Sequence, residues 1–261
     1  MKVAINFADE NFKGKQKFNT KTALNFGGFD KVYEFGPSDI DDLFYESNKN
    51  ILEQKRGGGY WLWKPYFIKK VLEKQNIGDY VFYSDSGTFF INKIKYLIDV
   101  MDRNDTDIML FELPLIECEW TNSYLFKSLD LMSEKYRLSN QICATYILLR
   151  NSVKSRLFIN EYLELCMNEN YITDVNTITD GIVKDHRHDQ SILSLLAKSK
   201  KMIPFRDPSD YGIFPFRYFT ENRLFKVNSY KDEYPVILLS NRKADPHIYW
   251  LKFMIRKIFG R

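Results

Sequence analysis

Val81-Phe82-Tyr83-Ser84-Asp85-Ser86-Gly87 is the stretch on which the fold turns. An apolar, aromatic-rich run suited to a buried strand passes without a break into Asp-Ser-Gly, the composition of a sharp turn. Residues 79–84 therefore read as a strand that stops at Asp85. Upstream, residues 2–7 predict a buried first strand followed by a loop over 8–14, and Val32-Tyr33-Glu34-Phe35 predicts a second strand closed by Gly36-Pro37. Downstream, residues 107–112 and 143–149 have the same strand character. Helical patterns fall between them. Residues 20–26 end at Gly27-Gly28, and residues 38–54 space Ile40, Leu43, Phe44, Ile51 and Leu52 helically. Another helix opens near Lys64-Pro65 with a stripe of Phe67, Ile68, Val71 and Leu72. Residues 151–170 place Leu157, Phe158, Tyr162, Leu165 and Cys166 on one face, and Ile192, Leu193, Leu195 and Leu196 predict a short amphipathic helix after Gln190. Strands alternating with helices predict an α/β fold, one domain over residues 1–240 with a mainly parallel central sheet flanked by helices.

Charge sets the end of the chain apart. The 261 residues carry 38 Lys+Arg against 34 Asp+Glu, a net +4. Residues 241–261 hold six basic residues and one acid, Asp245, so the first 240 are close to neutral. Nucleic-acid binding is disfavoured, because it needs a wide basic face. The 44% hydrophobic and 16% aromatic content excludes a disordered chain. Cys118, Cys143 and Cys166 form no close pair, which argues against a disulfide framework or structural zinc and fits a reducing cytosol. The N-terminal apolar run is broken by Asn6 and Asp9, too soon for a signal peptide. No stretch reaches the roughly 20 apolar residues of a membrane helix. The expected location is cytoplasmic, peripheral at the inner face of the plasma membrane.

Four stretches are candidates for chemistry. In open α/β sheets, ligands bind beyond the carboxyl ends of the strands, where Asp85 stands. Asp85 and Ser86 either cap the next segment or face a ligand there. The second stretch is Arg56-Gly57-Gly58-Gly59-Tyr60-Trp61-Leu62-Trp63-Lys64-Pro65. Its glycines allow close backbone approach or positive φ, Arg56 and Lys64 are cations suited to phosphate, and the Trp rings either stack on a sugar or base or join the core. No Gly-Lys-Ser/Thr follows, so it is not a P-loop. The third is His186-Arg187-His188-Asp189-Gln190-Ser191. Asp189 and Gln190 either cap the next helix or serve as base or nucleophile and sugar partner. The spacing of the two histidines is not that of a helical metal pair. The fourth is residues 247–259, which as a helix put Ile248, Leu251, Met254, Ile255 and Ile258 on one side and Lys252, Arg256 and Lys257 on the other. That pattern suits either an anionic membrane surface, with Tyr249, Trp250 and Phe253 as anchors, or a helix packed on the domain.

Together these motifs resemble the bacterial glycosyltransferases of capsule, O-antigen and related polysaccharide clusters, over about residues 1–200. The resemblance rests on the Arg56–Pro65 block, on Tyr83-Ser84-Asp85-Ser86-Gly87, and on His188-Asp189-Gln190-Ser191-Ile192-Leu193. The last also resembles the glycogenin-like and lipooligosaccharide galactosyltransferase families. It implies the nucleotide-diphospho-sugar transferase fold called GT-A, a nucleotide-diphospho-sugar donor, a glycan or glycolipid acceptor, and Mn²⁺ or Mg²⁺. Asp85 falls where the metal-binding Asp-x-Asp of the family would begin, with Gly87 in place of the second Asp. The implied donor-binding residues are Asn6, Asp9, Arg56, Gly58, Tyr60, Trp63, Lys64, Asp85 and Ser86, with Asp85 on the metal and His247 a further conceivable ligand. Asp189 and Gln190 are the implied catalytic pair, and His188, Glu119 and Trp120 the acceptor wall. The implied activity is hexosyl transfer to a cell-surface glycan. A catalytically dead carbohydrate-binding or scaffold protein of the same fold is the alternative. A nucleotidyltransferase would show a Gly-rich signature after the first strand, and Phe7-Ala8-Asp9-Glu10-Asn11 is not one.

Overall fold

The computed structural model describes residues 1–176, 181–231, 234–241 and 244–259. In chain order its strands are β1 (Lys2–Phe7), β2 (Lys31–Phe35), β3 (Tyr80–Ser84), β4 (Thr88–Phe90), β5 (Ile108–Ile116), β6 (Asn140–Arg150), β7 (Phe205–Arg206) and β8 (Leu238–Ser240). Six of them form the central sheet in the order β2-β1-β3-β6-β5-β7, and β4 pairs with β8 in a separate ribbon. β6 runs against both its neighbours, while the remaining pairings in the central sheet are parallel. The carboxyl ends of β1 and β3 therefore lie on the same edge, as the sequence pattern predicts.

Both faces of the sheet are covered, and the period-2 alternation sorts side chains between them. Val3, Ile5, Val81 and Tyr83 pack under α2 (Trp63–Lys74), α4 (Val153–Cys166) and α5 (Asp189–Ser199). Ala4 and Phe82 point the other way, toward α3 (Lys95–Arg103) through Leu97, Val100 and Met101. The alternation slips once in β6. Leu110 pairs with Ile147 but Phe111 with Cys143, so residues 144–146 bulge out opposite a single step of β5. Bulges of this kind re-aim side chains beside functional sites, and this one adjoins Asp85, whose amide donates to the Thr145 carbonyl at 3.1 Å.

Several elements depart from the pattern. The first helix, α1 (Lys13–Thr22), starts seven residues before the predicted helix and ends in a π-turn, Ala23–Gly27. It buries Gln16, Asn19 and Thr22 through side-chain hydrogen bonds, which apolar spacing cannot reveal. The 38–54 helix breaks at Asn48 into Asp42–Ser47 and Lys49–Leu52. In α4, Leu157 is exposed, and Ile159 and Leu163 take the inward positions. α5 is not amphipathic: Ser191 and Ser194 are as buried as its leucines, because their hydroxyls bond the Trp120 carbonyl and Glu117.

The last helix, α6 (Pro246–Phe259), packs on the body. Phe253 inserts among Phe89, Phe214 and Leu239, with Tyr249 and Met254 against the same cluster. Tyr249 and Phe253 thus face inward and are not membrane anchors, whereas Ile248, Trp250, Leu251, Ile255 and Ile258 stay exposed. Arg242, Lys243 and Arg261, part of the basic end, lie outside the described residues. All three cysteines are buried, and none is joined in a disulfide among the described residues. Among the described residues no helix is long and apolar enough to cross a membrane.

Candidate active site

Two loops deliver the central groups. Residues 57–61 hold positive φ at five consecutive positions, Gly57 through Trp61, and close a left-handed turn in which the Tyr60 amide donates to the Arg56 carbonyl at 2.8 Å. Left-handed backbone costs roughly 1–2 kcal/mol per residue with a side chain, so the triple glycine carries most of the turn. A Cβ on Gly59 would also lie 2.7 Å from Leu52 Cα. Trp63 Nε1 ties the turn back to the Gly57 carbonyl at 3.0 Å, and α2 then carries Lys64 inward. On the other side His188 has φ 50° and ψ −116°, a conformation held by Nδ1 against the Ile172 carbonyl at 2.7 Å. Its ring lies 4.6 Å from that of Tyr60 and 5.7 Å from that of Trp61. Asp189 follows as the first residue of α5.

These segments meet at the end of β3. Lys64 and Asp189 are each only 3% exposed, and Lys64 Nζ donates to Asp189 Oδ2 at 2.6 Å. Lys64 Nζ also lies 3.9 Å from Asp85 Oδ1 and 5.3 Å from the Tyr83 ring centroid. Tyr162 donates to Asp189 at 3.2 Å and Tyr83 to Asp85 at 2.7 Å. Burial alone would push the Lys64 ammonium down, but Asp189 and Asp85 together outweigh it and hold Lys64 above the ordinary lysine value. Burial pushes the Asp189 carboxyl up, with Lys64 and Tyr162 pulling the other way. Burial also lifts the Tyr162 hydroxyl well above its ordinary value, so it remains a donor. Asp85 is the group that reaches solvent, with 19% of its side chain exposed.

Gln190 is anchored to the β6 bulge. Its Oε1 accepts from the Ala144 amide at 3.2 Å and its Nε2 donates to Gln141 at 2.7 Å. A cavity of about 430 Å³ opens beyond Ser86 and Gly87, walled by Asn11, Lys15, Phe18 and His247. A larger cavity, about 1510 Å³, lies elsewhere, between Val153 and Leu157 of α4, Ile203 and Tyr230, and touches none of the predicted site residues.

Other predicted residues are placed differently. Asn6 is fully buried and donates to Asn19 at 2.8 Å and Thr20 at 3.1 Å. Asp9 is exposed and caps the turn at Phe12. Arg56 pairs with Asp185 at 2.6 Å and Asp174 at 3.3 Å, and Tyr60 donates to Asp174 at 3.3 Å. Gly58 sits mid-turn with φ 56° and ψ 54°. Trp63 stacks on Phe7 at 3.8 Å, and Ser86 donates to the Phe7 carbonyl. Glu119 accepts the Leu224 amide at 3.0 Å, and Trp120 is core, with Arg187 and Arg223 over its ring. Lys64, Asp85, Asp189 and the His188 backbone are thus brought together, whereas Arg56, Glu119 and Trp120 are engaged in structural contacts. Tyr83 and Tyr162 complete the cluster, and Gln141 holds Gln190. Tyr162 gave no sign beyond a hydroxyl on an apolar helix face.

The residues do not fit a divalent ion. Metal sites of this kind gather several carboxylate or carbonyl oxygens, and Asp85 offers one carboxylate that already faces the Tyr83 hydroxyl and the Lys64 ammonium. Among the described residues no group of three His, Cys, Asp or Glu side chains comes together to hold an ion. His247 lies on the cavity wall without completing such a set.

No protein-family model and no curated protein sequence matches the chain. Solved structures match its fold. Galactosyltransferase LgtC, in complex with donor and acceptor sugar analogs, superposes with TM-score 0.50 at 15% identity over 98% of this chain and 94% of its own. An active-site mutant of LgtC gives TM-score 0.50 at 14% identity, over 94% and 88%. Mouse xyloside xylosyltransferase 1, in its apo form, gives 0.49 at 11%, over 92% and 96%. The architecture is the mixed α/β, mainly parallel arrangement of the GT-A glycosyltransferases.

Proposed function

We propose that this chain is a glycosyltransferase that moves a hexose from a nucleoside-diphosphate sugar to a sugar hydroxyl of a growing cell-surface glycan. The observation that carries the reading is the Asp85–Lys64–Asp189 cluster, set at the carboxyl end of β3 in a sheet of GT-A type. The 430 Å³ cavity lined by Ser86 and Gly87, the residues that follow Asp85, is within the range of small-ligand sites, roughly 300–1,000 Å³, and is the place we assign to the nucleotide and diphosphate.

The chemistry follows from charge. The bond from the sugar C1 to the diphosphate oxygen breaks, and its electron pair leaves with the diphosphate. The acceptor oxygen bonds to C1 and passes its proton to the departing diphosphate oxygen, which has gained that electron pair. Positive charge grows on the sugar, and fixed carboxylates aimed at it lower the barrier. Asp85, the more open of the two, meets the sugar hydroxyls. Asp189, nearly wholly buried with Oδ2 bound to Lys64 and Tyr162, suits the stabilising carboxylate better than a base exchanging protons with water. Lys15, on the cavity wall, faces the departing diphosphate.

Thermal denaturation with a panel of nucleoside-diphosphate sugars, followed by product analysis with glycan acceptors, tests this. A donor that binds the folded chain raises its melting temperature, and sugar transfer must accompany it. Donor binding without transfer would instead favour the inactive carbohydrate-binding reading, which Gly87, standing where the resemblance leads one to expect a second Asp, supports. We further propose that the exposed apolar and basic side chains of α6 rest on an anionic membrane surface.

A further inference from the structure

Asp85 stands where the resemblance places a metal ligand, yet the positive charge beside it belongs to the chain. Lys64 Nζ lies 3.9 Å from Asp85 Oδ1 and 2.6 Å from Asp189 Oδ2, so one ammonium bridges two carboxylates supplied by separate elements. Its side chain is walled by Tyr83 and is 4% exposed. Such a charge is fixed in position, and fixed charges need no reorganisation as the reaction proceeds. Two carboxylates without Lys64 would form a bare anionic pair, the arrangement that attracts a divalent ion. Gly87 is consistent with this. Its carbonyl accepts the Asn241 amide at 2.9 Å, and its position offers no side-chain ligand.

We propose that Lys64 occupies the place of a divalent cation, so that the chain transfers sugar without a metal ion and Asp85 accepts hydrogen bonds from donor-sugar hydroxyls instead of coordinating metal. The proposal deepens the glycosyl-transfer reading and rests on it. The bonds broken and formed are those given above. No oxidant or further reactant enters, and the diphosphate leaves against side-chain cations only.

The test uses the full chain stripped by chelation, with Mn²⁺ as the probe. Electron paramagnetic resonance of added Mn²⁺ should show no one-to-one binding to the parent, and transfer rates with and without EDTA should agree within about twofold. Lys64→Met, checked for folding by circular dichroism, should then bind Mn²⁺ at the vacated carboxylate pair. If that variant does not fold, Lys64→Gln serves in its place. One-to-one Mn²⁺ binding by the parent overturns the proposal, as does transfer lost on chelation and regained with Mn²⁺ or Mg²⁺. A folded Lys64 variant that binds no Mn²⁺ also overturns it, since Lys64 would not be standing in for an ion. Absence of transfer under every condition strikes the glycosyl-transfer reading instead, and the Mn²⁺ titrations still decide the site.

Discussion

Lys64 and Asp189 lie 125 residues apart in sequence, yet their charged atoms are 2.6 Å apart in a place almost closed to water. Breaking one side of a buried pair leaves an uncompensated charge, typically at a cost of about 3–5 kcal/mol. Lys64→Met and Asp189→Leu should each destabilise on that scale, and the double variant by clearly less than their sum. Urea unfolding of the four proteins measures the coupling. Simple additivity would show that the pair is not the unit described.

Asp85 is the counter-case, because it is partly open and its loss strands less charge. Asp85→Asn should leave unfolding free energy within about 1 kcal/mol while cutting sugar transfer by about 100-fold or more. The two readings together separate a role toward substrate from a role in folding. Retained transfer would remove Asp85 from the site.

His188 predicts an acid limit. Burial, with His186 close by, pushes its imidazole from 6.5 down to about 3. The unfolded chain therefore binds a proton between those values that the folded chain refuses. Stability is complete above about 6.5 and falls as pH drops toward 3, by about 1.4 kcal/mol per pH unit where the difference is a full proton. Burial lifts Asp207 to about 6, which gives a slope of opposite sign between its ordinary 3.8 and 6. Comparison of the parent with His188→Asn cancels that contribution, and Asn tolerates positive φ. The variant should lose less stability between pH 6.5 and 4 than the parent, and equal losses would contradict the assignment.

The two faces of α6 should respond differently. Phe253→Ala, in the core, should destabilise by about 3–5 kcal/mol. Ile255→Glu with Ile258→Glu, on the exposed face, should leave the melting temperature alone but weaken sedimentation with anionic vesicles by at least about tenfold. Unchanged vesicle binding in the double variant would remove the membrane role of this helix.

β1, β2, β3, β5 and β6 are legible in the sequence because their signals are local, apolar runs stopped by turn residues, whereas the two- and three-residue strands β4, β7 and β8 are too short to show such a pattern. Asp85, Lys64 and Asp189 stand in three separate motifs of the sequence, and nothing in their spacing says that one lysine joins two aspartates. α1 was misread because it buries Gln16 and Asn19 through hydrogen bonds to the Phe35 carbonyl and to Thr88, partners fixed only by the tertiary fold. The partners of Arg56, Glu119 and Trp120 are hidden from the sequence for a similar reason. Residue type does not tell that the Arg56 guanidinium meets Asp174 and Asp185.

The turn at residues 57–61 follows a path whose mirror image is ordinary right-handed helix. A ribosome supplies only L-residues, so the chain can trace that path cheaply only where it is achiral, at Gly57, Gly58 and Gly59. Gly58 is the informative position, because a Cβ there meets nothing nearer than 3.9 Å and the penalty is handedness alone. D-alanine installed at Gly58 by chemical ligation should match or exceed the parent in stability, by up to about 1 kcal/mol through fewer unfolded conformers. L-alanine at the same place should fall below the parent by about 1 kcal/mol. The gap between two enantiomers of one methyl group is thus a direct measure of the stereochemical constraint that keeps three glycines in front of Lys64.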